Sequence, residues 1–343
     1  MEASEHTAGS DGRALAPVDA SDKDLCAAAS RLIRETEALH APLRRPDPPV
    51  TLLSRRGRHV VVLAGQRGPE ALVFKFILRD GQASKSRGAF AQTQAAHRAL
   101  TGHPRFAVVA PVCLMAEDCG FAMRFVAGEQ LATRAKSWRS GPRRRQALAS
   151  DALAWLETFH QAMGRASRGL DPDWFAARLD TITTKSAEKP ETTRHSETFH
   201  RARERWYALG TGLAGTALPF APAHGDFGLH NLLQTRTRLT AIDFSAERAH
   251  PAEPVTRDLA RFAATLPAMP GWRQETEKSA LLQAGYPGLD WSSPATAWAL
   301  IYHHLNAWSS HRHRARSQAG RFETDAAQAP RAEAMLDALE RRL

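Results

Sequence analysis

The hydrophobic pattern changes character at Gly128, and that change constrains the fold of this 343-residue chain more than any other feature. Before it, apolar residues come in short runs that are β-branched or aromatic and broken by turn residues. After it, they recur at steps of three and four. Residues 50–54, 59–64 and 71–78 read as an antiparallel meander of three strands. A helix precedes them: Ser21 and Asp24 stand at capping-box spacing, and Leu25, Ala28, Leu32 and Leu39 follow at helical intervals until Pro42, Pro46, Pro48 and Pro49 forbid continuation. A second helix is expected over 90–100, then strands over 107–114 and 120–126 joined by a polar turn at 116–119.

Beyond Gly128, Leu148, Ala152, Leu156, Phe159 and Met163 share one helix face, with Gly164 placed to stop it. Residues 165–198 are poorly patterned, a helix is expected over 197–209, and short strands over 232–234 and 239–244. From Val255 onward the pattern is helical, with Trp298, Ile301, Leu305 and Trp308 as a core face. The fold class is therefore α+β in two unequal lobes around a cleft. The expected division is a disordered tail over 1–20, a small antiparallel-sheet lobe over 21–127, and a mainly helical lobe over 128–343.

Several functional classes drop out on composition. The longest apolar runs, 60–64 and the Pro111-broken 106–116, fall short of the ~18 residues of a membrane span. The first residues hold no basic segment followed by an apolar one, so no secretory signal is read there. Three cysteines, Cys26, Cys113 and Cys119, match no paired metal spacing and fit a reducing, cytoplasmic setting. The formal charge of +10 favours anionic partners, but no recognition motif accompanies it, so no nucleic acid is expected. No pattern fixes the oligomeric state.

The chemistry concentrates in His224-Gly225-Asp226-Phe227-Gly228-Leu229-His230-Asn231, followed twelve residues after the Asn by Asp243 within Ile242-Asp243-Phe244. One carboxylate, an amide five residues on, and a second carboxylate beyond a tight hairpin are what phosphoryl transfer requires. The first takes the nucleophile's proton; the amide and second carboxylate hold Mg²⁺ against the phosphates. Were these residues ordinary turn formers, the joint spacing with His224, Phe244 and Asp258 would be a coincidence. Lys75, alone in the apolar run Ala71-Leu72-Val73-Phe74-Lys75-Phe76-Ile77-Leu78, needs an anionic partner. The alternative is an edge-strand lysine with its amine in solvent.

On these residues, together with Asp258-Leu259-Ala260, the sequence resembles the aminoglycoside phosphotransferase and choline kinase family, small-molecule kinases of the protein-kinase-like fold. The resemblance implies a bilobal kinase-like fold and transfer of the γ-phosphoryl group of ATP, with GTP as the other candidate, to a small-molecule hydroxyl. It implies Asp226 as catalytic base, Asn231 and Asp243 as magnesium ligands, and Lys75 on the α/β-phosphates. Backbone groups near Arg124 and Val126, in Met123-Arg124-Phe125-Val126-Ala127-Gly128, would meet the adenine edge. Asp258 would brace the catalytic loop, as would His224.

Two departures favour the alternative, a pseudokinase-type nucleotide-binding or regulatory protein without turnover. The expected second helix offers Gln92 and Gln94 but no Glu to pair with Lys75, and the phosphate loop Ser54-Arg55-Arg56-Gly57-Arg58 has one glycine. The complete Asp226, Asn231 and Asp243 set opposes that alternative. The basic excess argues against polycationic acceptors, although Glu247 and Glu253 fall where this family often contacts substrate. Arg139, Arg143, Arg144 and Arg145 read as a solvated surface, with contact to an anionic substrate or a membrane surface as the alternative. His303, His304, His311 and His313 read as a solvated basic face.

Overall fold

Ser21 and Asp24 form the expected capping box: the Ser21 hydroxyl donates to Asp24 Oδ2 at 2.6 Å, and the Ser21 N–H donates to the same oxygen at 3.2 Å. The Asp24 N–H donates to Ser21 Oγ at 3.2 Å, so α1 (Asp22–Leu39) starts where its orphan donors are satisfied. The structure is a computed structural model that describes residues 21–39, 49–56, 59–77, 83–115, 118–137, 141–187, 197–245, 252–266, 275–314 and 325–343. The expected tail over 1–20, and Gly57, Arg58, Arg139 and Glu247, lie outside the described residues. Two units are present, Met1–Glu129 with Leu233–His250, and Gln130–Leu232 with Pro251–Leu343.

In the first unit, β1 (Val50–Arg56), β2 (His59–Ala64) and β3 (Leu72–Ile77) form the expected meander. Helix α2 (Ala83–Ala99) follows, beginning seven residues before its apolar pattern because its first two turns, ASKSRGA, hold only polar and small residues and so carry no apolar stripe. The stretch expected as one strand over 107–114 is two strands in different sheets, β4 (Phe106–Val108) and β5 (Pro111–Leu114). Pro111 has no N–H to continue the ladder, and β5 takes the edge position that proline tolerates.

With β6 (Gly120–Arg124), the main sheet has the order β1-β2-β3-β6-β5, antiparallel throughout. Leu72, Phe74 and Phe76 point to one face, and α1 covers that side of the sheet with Leu25, Ala29, Leu32 and Ile33. Lys75 faces the other way. It is matched with Val61 on one side and Phe121 on the other, so the edge-strand alternative is excluded.

Strand Leu239–Ala241 joins the same unit by pairing parallel with β4, Leu239 opposite Phe106 and Ala241 opposite Val108. The pairing extends one residue further at each end, through Leu239 N–H to Arg105 O and Val109 N–H to Ala241 O. Asp243 is therefore carried by a strand anchored in the first unit.

In the second unit, α3 (Leu131–Lys136) precedes α4 (Pro142–Ala162), which buries Leu148, Ala152, Leu156 and Phe159 as the periodicity predicts. The stretch over 165–198 contains structure that hydrophobic periodicity misses: strand Ala166–Gly169 and helix α5 (Pro172–Ala187). The start of α5 is written in capping chemistry instead. Asp171 Oδ1 accepts the N–H groups of Asp173 and Trp174 at 3.1 and 3.2 Å, and Pro172 occupies the first turn. Strand Ala217–Pro222 lies between Ala166–Gly169 and Ala252–Pro254 in an antiparallel three-stranded sheet. Helices α6 (Glu197–Thr211), α7 (Thr256–Thr265), α8 (Glu275–Gly285), α9 (Pro294–Arg314) and α10 (Asp325–Glu340) complete it.

Trp298, Ile301, Leu305 and Trp308 are all buried, as one face of α9. Trp298 stacks on Trp206 at 4.3 Å, and each indole N–H donates to the other residue's backbone carbonyl, at 2.7 and 3.2 Å. Gly210 makes that approach fit, since a Cβ there would stand 2.5 Å from the Trp298 ring. His303 departs from the expected solvated face: it is half-buried and bonded to Thr256 Oγ1 at 3.1 Å. Burial, helped by Arg257, pushes its pKa down to about 3, so it is neutral. Arg143 and Arg144 are exposed in the first turn of α4. No helix among the described residues is long and apolar enough to cross a membrane.

Candidate active site

Strand Ala217–Pro222 delivers the loop that begins at His224. His224 is fully buried against Trp155, which also stacks on Phe227 at 5.8 Å, so aromatic packing from α4 holds the loop from beneath. Gly225 has φ +86°, a left-handed conformation that an L side chain rarely adopts. Its N–H and that of His224 both reach Asp258, in the first turn of α7, at 2.8 and 2.6 Å.

Asp258 is completely buried and also accepts from His160 Nε2 at 3.2 Å, while the Tyr286 hydroxyl donates to His160 Nδ1 at 2.7 Å. Burial alone would raise the Asp258 pKa; the His160 hydrogen bond and nearby charges outweigh it and lower it. An ionised carboxylate with three donors thus fixes the backbone just before Asp226, which is the bracing role expected of Asp258.

Asp226 has two unequal oxygens. Oδ1 accepts from Arg261 Nε at 2.8 Å and is ion-paired with its Nη2 at 2.6 Å. Oδ2 keeps longer contacts, to Asn231 Nδ2 at 3.3 Å and to His230 Nε2 at 3.7 Å. Burial would raise its pKa, but His230 and the Arg261 guanidinium outweigh it and hold the carboxyl well below the usual range. The group is an ionised acceptor at any physiological pH.

The amide of Asn231 is oriented by the same loop. Its Nδ2 donates to the Asp226 backbone carbonyl at 2.8 Å, so its oxygen turns away and accepts nothing among the described residues. One open amide oxygen suits a hard cation. No group of three His, Cys, Asp or Glu able to hold a metal exists among the described residues. An amide oxygen of this kind suits a magnesium ion that completes its shell with phosphate and water oxygens, rather than an all-protein cage.

In the first unit, Lys75 and Asp243 come together as an ion pair, Nζ to Oδ1, with side chains 18% and 39% exposed. Asp243 has φ +62°, uncommon for a residue with a Cβ, and Asp tolerates it better than most. The pair supplies the acid that α2 lacks. At the end of β6, the Arg124 N–H bonds to Ala110 O and the Phe125 N–H to Ala71 O, both at 2.9 Å. Gly128 N–H bonds to Val126 O at 2.9 Å, and the Val126 N–H has no partner among the described residues. The Arg124 side chain turns to Glu70 at 3.2 Å.

Glu253 corrects one expectation. It is buried and neutralised, with Oε1 accepting from Arg178 at 2.7 Å and paired with Arg257 at 3.1 Å, so it offers no free carboxylate to a cationic acceptor. Arg261, which motif spacing missed, is the cation that the structure sets against Asp226. The signal was present: it follows Asp258 by three residues on one helix, so a helix whose Asp258 touches the loop also turns Arg261 toward it.

A model of the phosphotransferase enzyme family matches residues 50–294. Among solved structures, the chain is similar to a choline/ethanolamine kinase family protein from Mesorhizobium loti at 14% identity. That match covers 91% of this chain and 94% of the other, with a TM-score of 0.57. It is also similar to an ethanolamine kinase from Plasmodium vivax (11% identity, 94% and 91% covered, TM-score 0.56). A choline kinase from Streptococcus pneumoniae gives 13% identity, 84% and 93% covered, and a TM-score of 0.53. A comparison with curated proteins finds no match.

Proposed function

The chain belongs to the phosphotransferase enzyme family and has the fold of the small-molecule kinases, and from that premise we propose that it moves the γ-phosphoryl group of ATP to a hydroxyl of a small molecule with magnesium. The observation that carries this is the asymmetry of Asp226. Its Oδ1 is held by Arg261, and its Oδ2 is left to accept the acceptor's proton.

The acceptor oxygen forms a bond to the γ-phosphorus as the bond from that phosphorus to the ADP oxygen breaks. ADP leaves with the bonding electrons, and the hydroxyl proton passes to Asp226 Oδ2. Bound magnesium would neutralise charge on the phosphate oxygens. Asn231 and Asp243 each offer it an oxygen, and Lys75 turns from Asp243 to the α/β-phosphates. The free Val126 N–H meets an adenine ring acceptor, with the Arg124 carbonyl taking the amino group. No observation favours a protein without turnover, since Lys75 has an acid partner and the motif is complete.

The test measures ATP binding by thermal shift with and without Mg²⁺, and ADP release in the wild type and in Asp226→Asn. ATP binding should depend on Mg²⁺, and ADP release should fall at least ~100-fold in the variant with nucleotide affinity unchanged. Equal ADP release by the two proteins would remove Asp226 from the reaction.

A further inference from the structure

We propose that Arg261 carries an anion subsite beside the catalytic base, so that the acceptor is a hydroxy compound bearing a carboxylate or phosphate group. The inference rests on Asp226 being the base and names the substrate class of that same site.

A guanidinium has two edges that bind oxyanions in a fork. Asp226 occupies the side-on edge of Arg261, through Nε and Nη2. The end-on edge keeps Nη1, which has no partner among the described residues, and the Arg261 side chain is 44% exposed. Any acceptor must place its hydroxyl about 3 Å from Asp226 Oδ2. Arg261 stands 2.6 Å from the other oxygen of that carboxylate, so a group a few bonds along the acceptor comes within reach of the free edge.

The surrounding charges agree. Arg261 cancels the base's own charge, and the neighbours on Oδ2 are the neutral Asn231 amide and His230. One turn back along α7, Arg257 shares Glu253 with Arg178, two cations on one carboxylate. A cationic acceptor finds no unpaired carboxylate among these groups. An anionic one finds an open guanidinium edge.

The experiment measures ADP release from ATP and Mg²⁺ by the full chain above its water background. The probes are D-glycerate, glycerol 3-phosphate, uncharged glycerol, and the cations choline and ethanolamine. The expected result is stimulation by one or both anions, at a KM at least ~10-fold below that of glycerol, and none by the cations. Glycerate against glycerol 3-phosphate separates a carboxylate from a phosphate ligand. In Arg261→Met the anion's KM should rise to that of glycerol. Arg261→Lys should recover part of the difference, while the ATP KM stays within about twofold in both. If Arg261 only positions Asp226, glycerol and the anion lose kcat alike and their KM ratio is unchanged, which overturns the proposal. Stimulation by a cation, or by none of the probes, also overturns it while leaving the kinase assignment intact. Absence of ATP binding defeats that assignment as well.

Discussion

Lys75 Nζ and Asp243 Oδ1 form an ion pair across 168 residues of sequence, between the centre of an antiparallel sheet and a residue held in the left-handed backbone region. Each neutralises the other's charge. Each also has a role in the proposed reaction, Lys75 toward phosphate and Asp243 toward magnesium. The pair holds the half-buried Lys75 side chain in place, and in the proposed reaction phosphates would take over from its carboxylate partner.

Replacing Lys75 should therefore cost binding more than folding. With side chains 18% and 39% exposed, the pair contributes no more than about 1 kcal/mol to stability. Lys75→Met should leave the urea midpoint nearly unchanged and weaken ATP affinity at least ~10-fold by isothermal titration. An unfolded Lys75→Met protein would contradict this.

Asp258→Asn should do the reverse. An amide in that buried position keeps one acceptor oxygen and turns an NH₂ group toward donors, where the carboxylate accepted from His224, Gly225 and His160. The expected loss is about 3 kcal/mol, read from the denaturant midpoint, with turnover falling as the loop before Asp226 loses its anchor.

Gly225→Ala probes the loop's backbone alone. At φ +86° an alanine costs on the order of 1–2 kcal/mol, or the loop shifts to relieve it. Either response should lower ADP release more than ATP affinity. A variant with wild-type turnover would show that the loop tolerates the change.

His303 sets a pH dependence with a definite sign. Its folded pKa lies near 3, below the ordinary imidazole value of about 6.5, because burial and Arg257 disfavour the cation. Above about 6.5 it is neutral in both states and its stabilising effect is complete. As the pH falls from there toward 3, the unfolded chain binds a proton that the folded chain refuses, and stability drops. Thermal melts of His303→Gln should lose less between pH 6.5 and 4 than those of the wild type.

The fold was legible wherever a single element signals its own burial. The meander of β1 to β3 shows in its short β-branched runs, α4 and α9 in their three- and four-residue steps, and α1 in its capping box. Helix α5 was missed because its signal is an N-cap at Asp171 and Pro172, not an apolar stripe. Asp226 and Asn231 were legible because five residues separate them and one loop both presents and orients them.

Sequence alone settled which faces turn inward and singled out the residues proposed for the chemistry, since hydrophobic periodicity and loop spacing are properties of neighbouring residues. It could not decide partners that are distant along the chain. That Lys75 meets Asp243, that Leu239–Ala241 runs parallel to β4, and that Arg261 clamps one oxygen of Asp226 while Glu253 is consumed by Arg178 and Arg257 came from the tertiary structure. Any of several acids could have satisfied a buried lysine or arginine at similar cost. Only the packing of all the elements together selects the one that comes within reach.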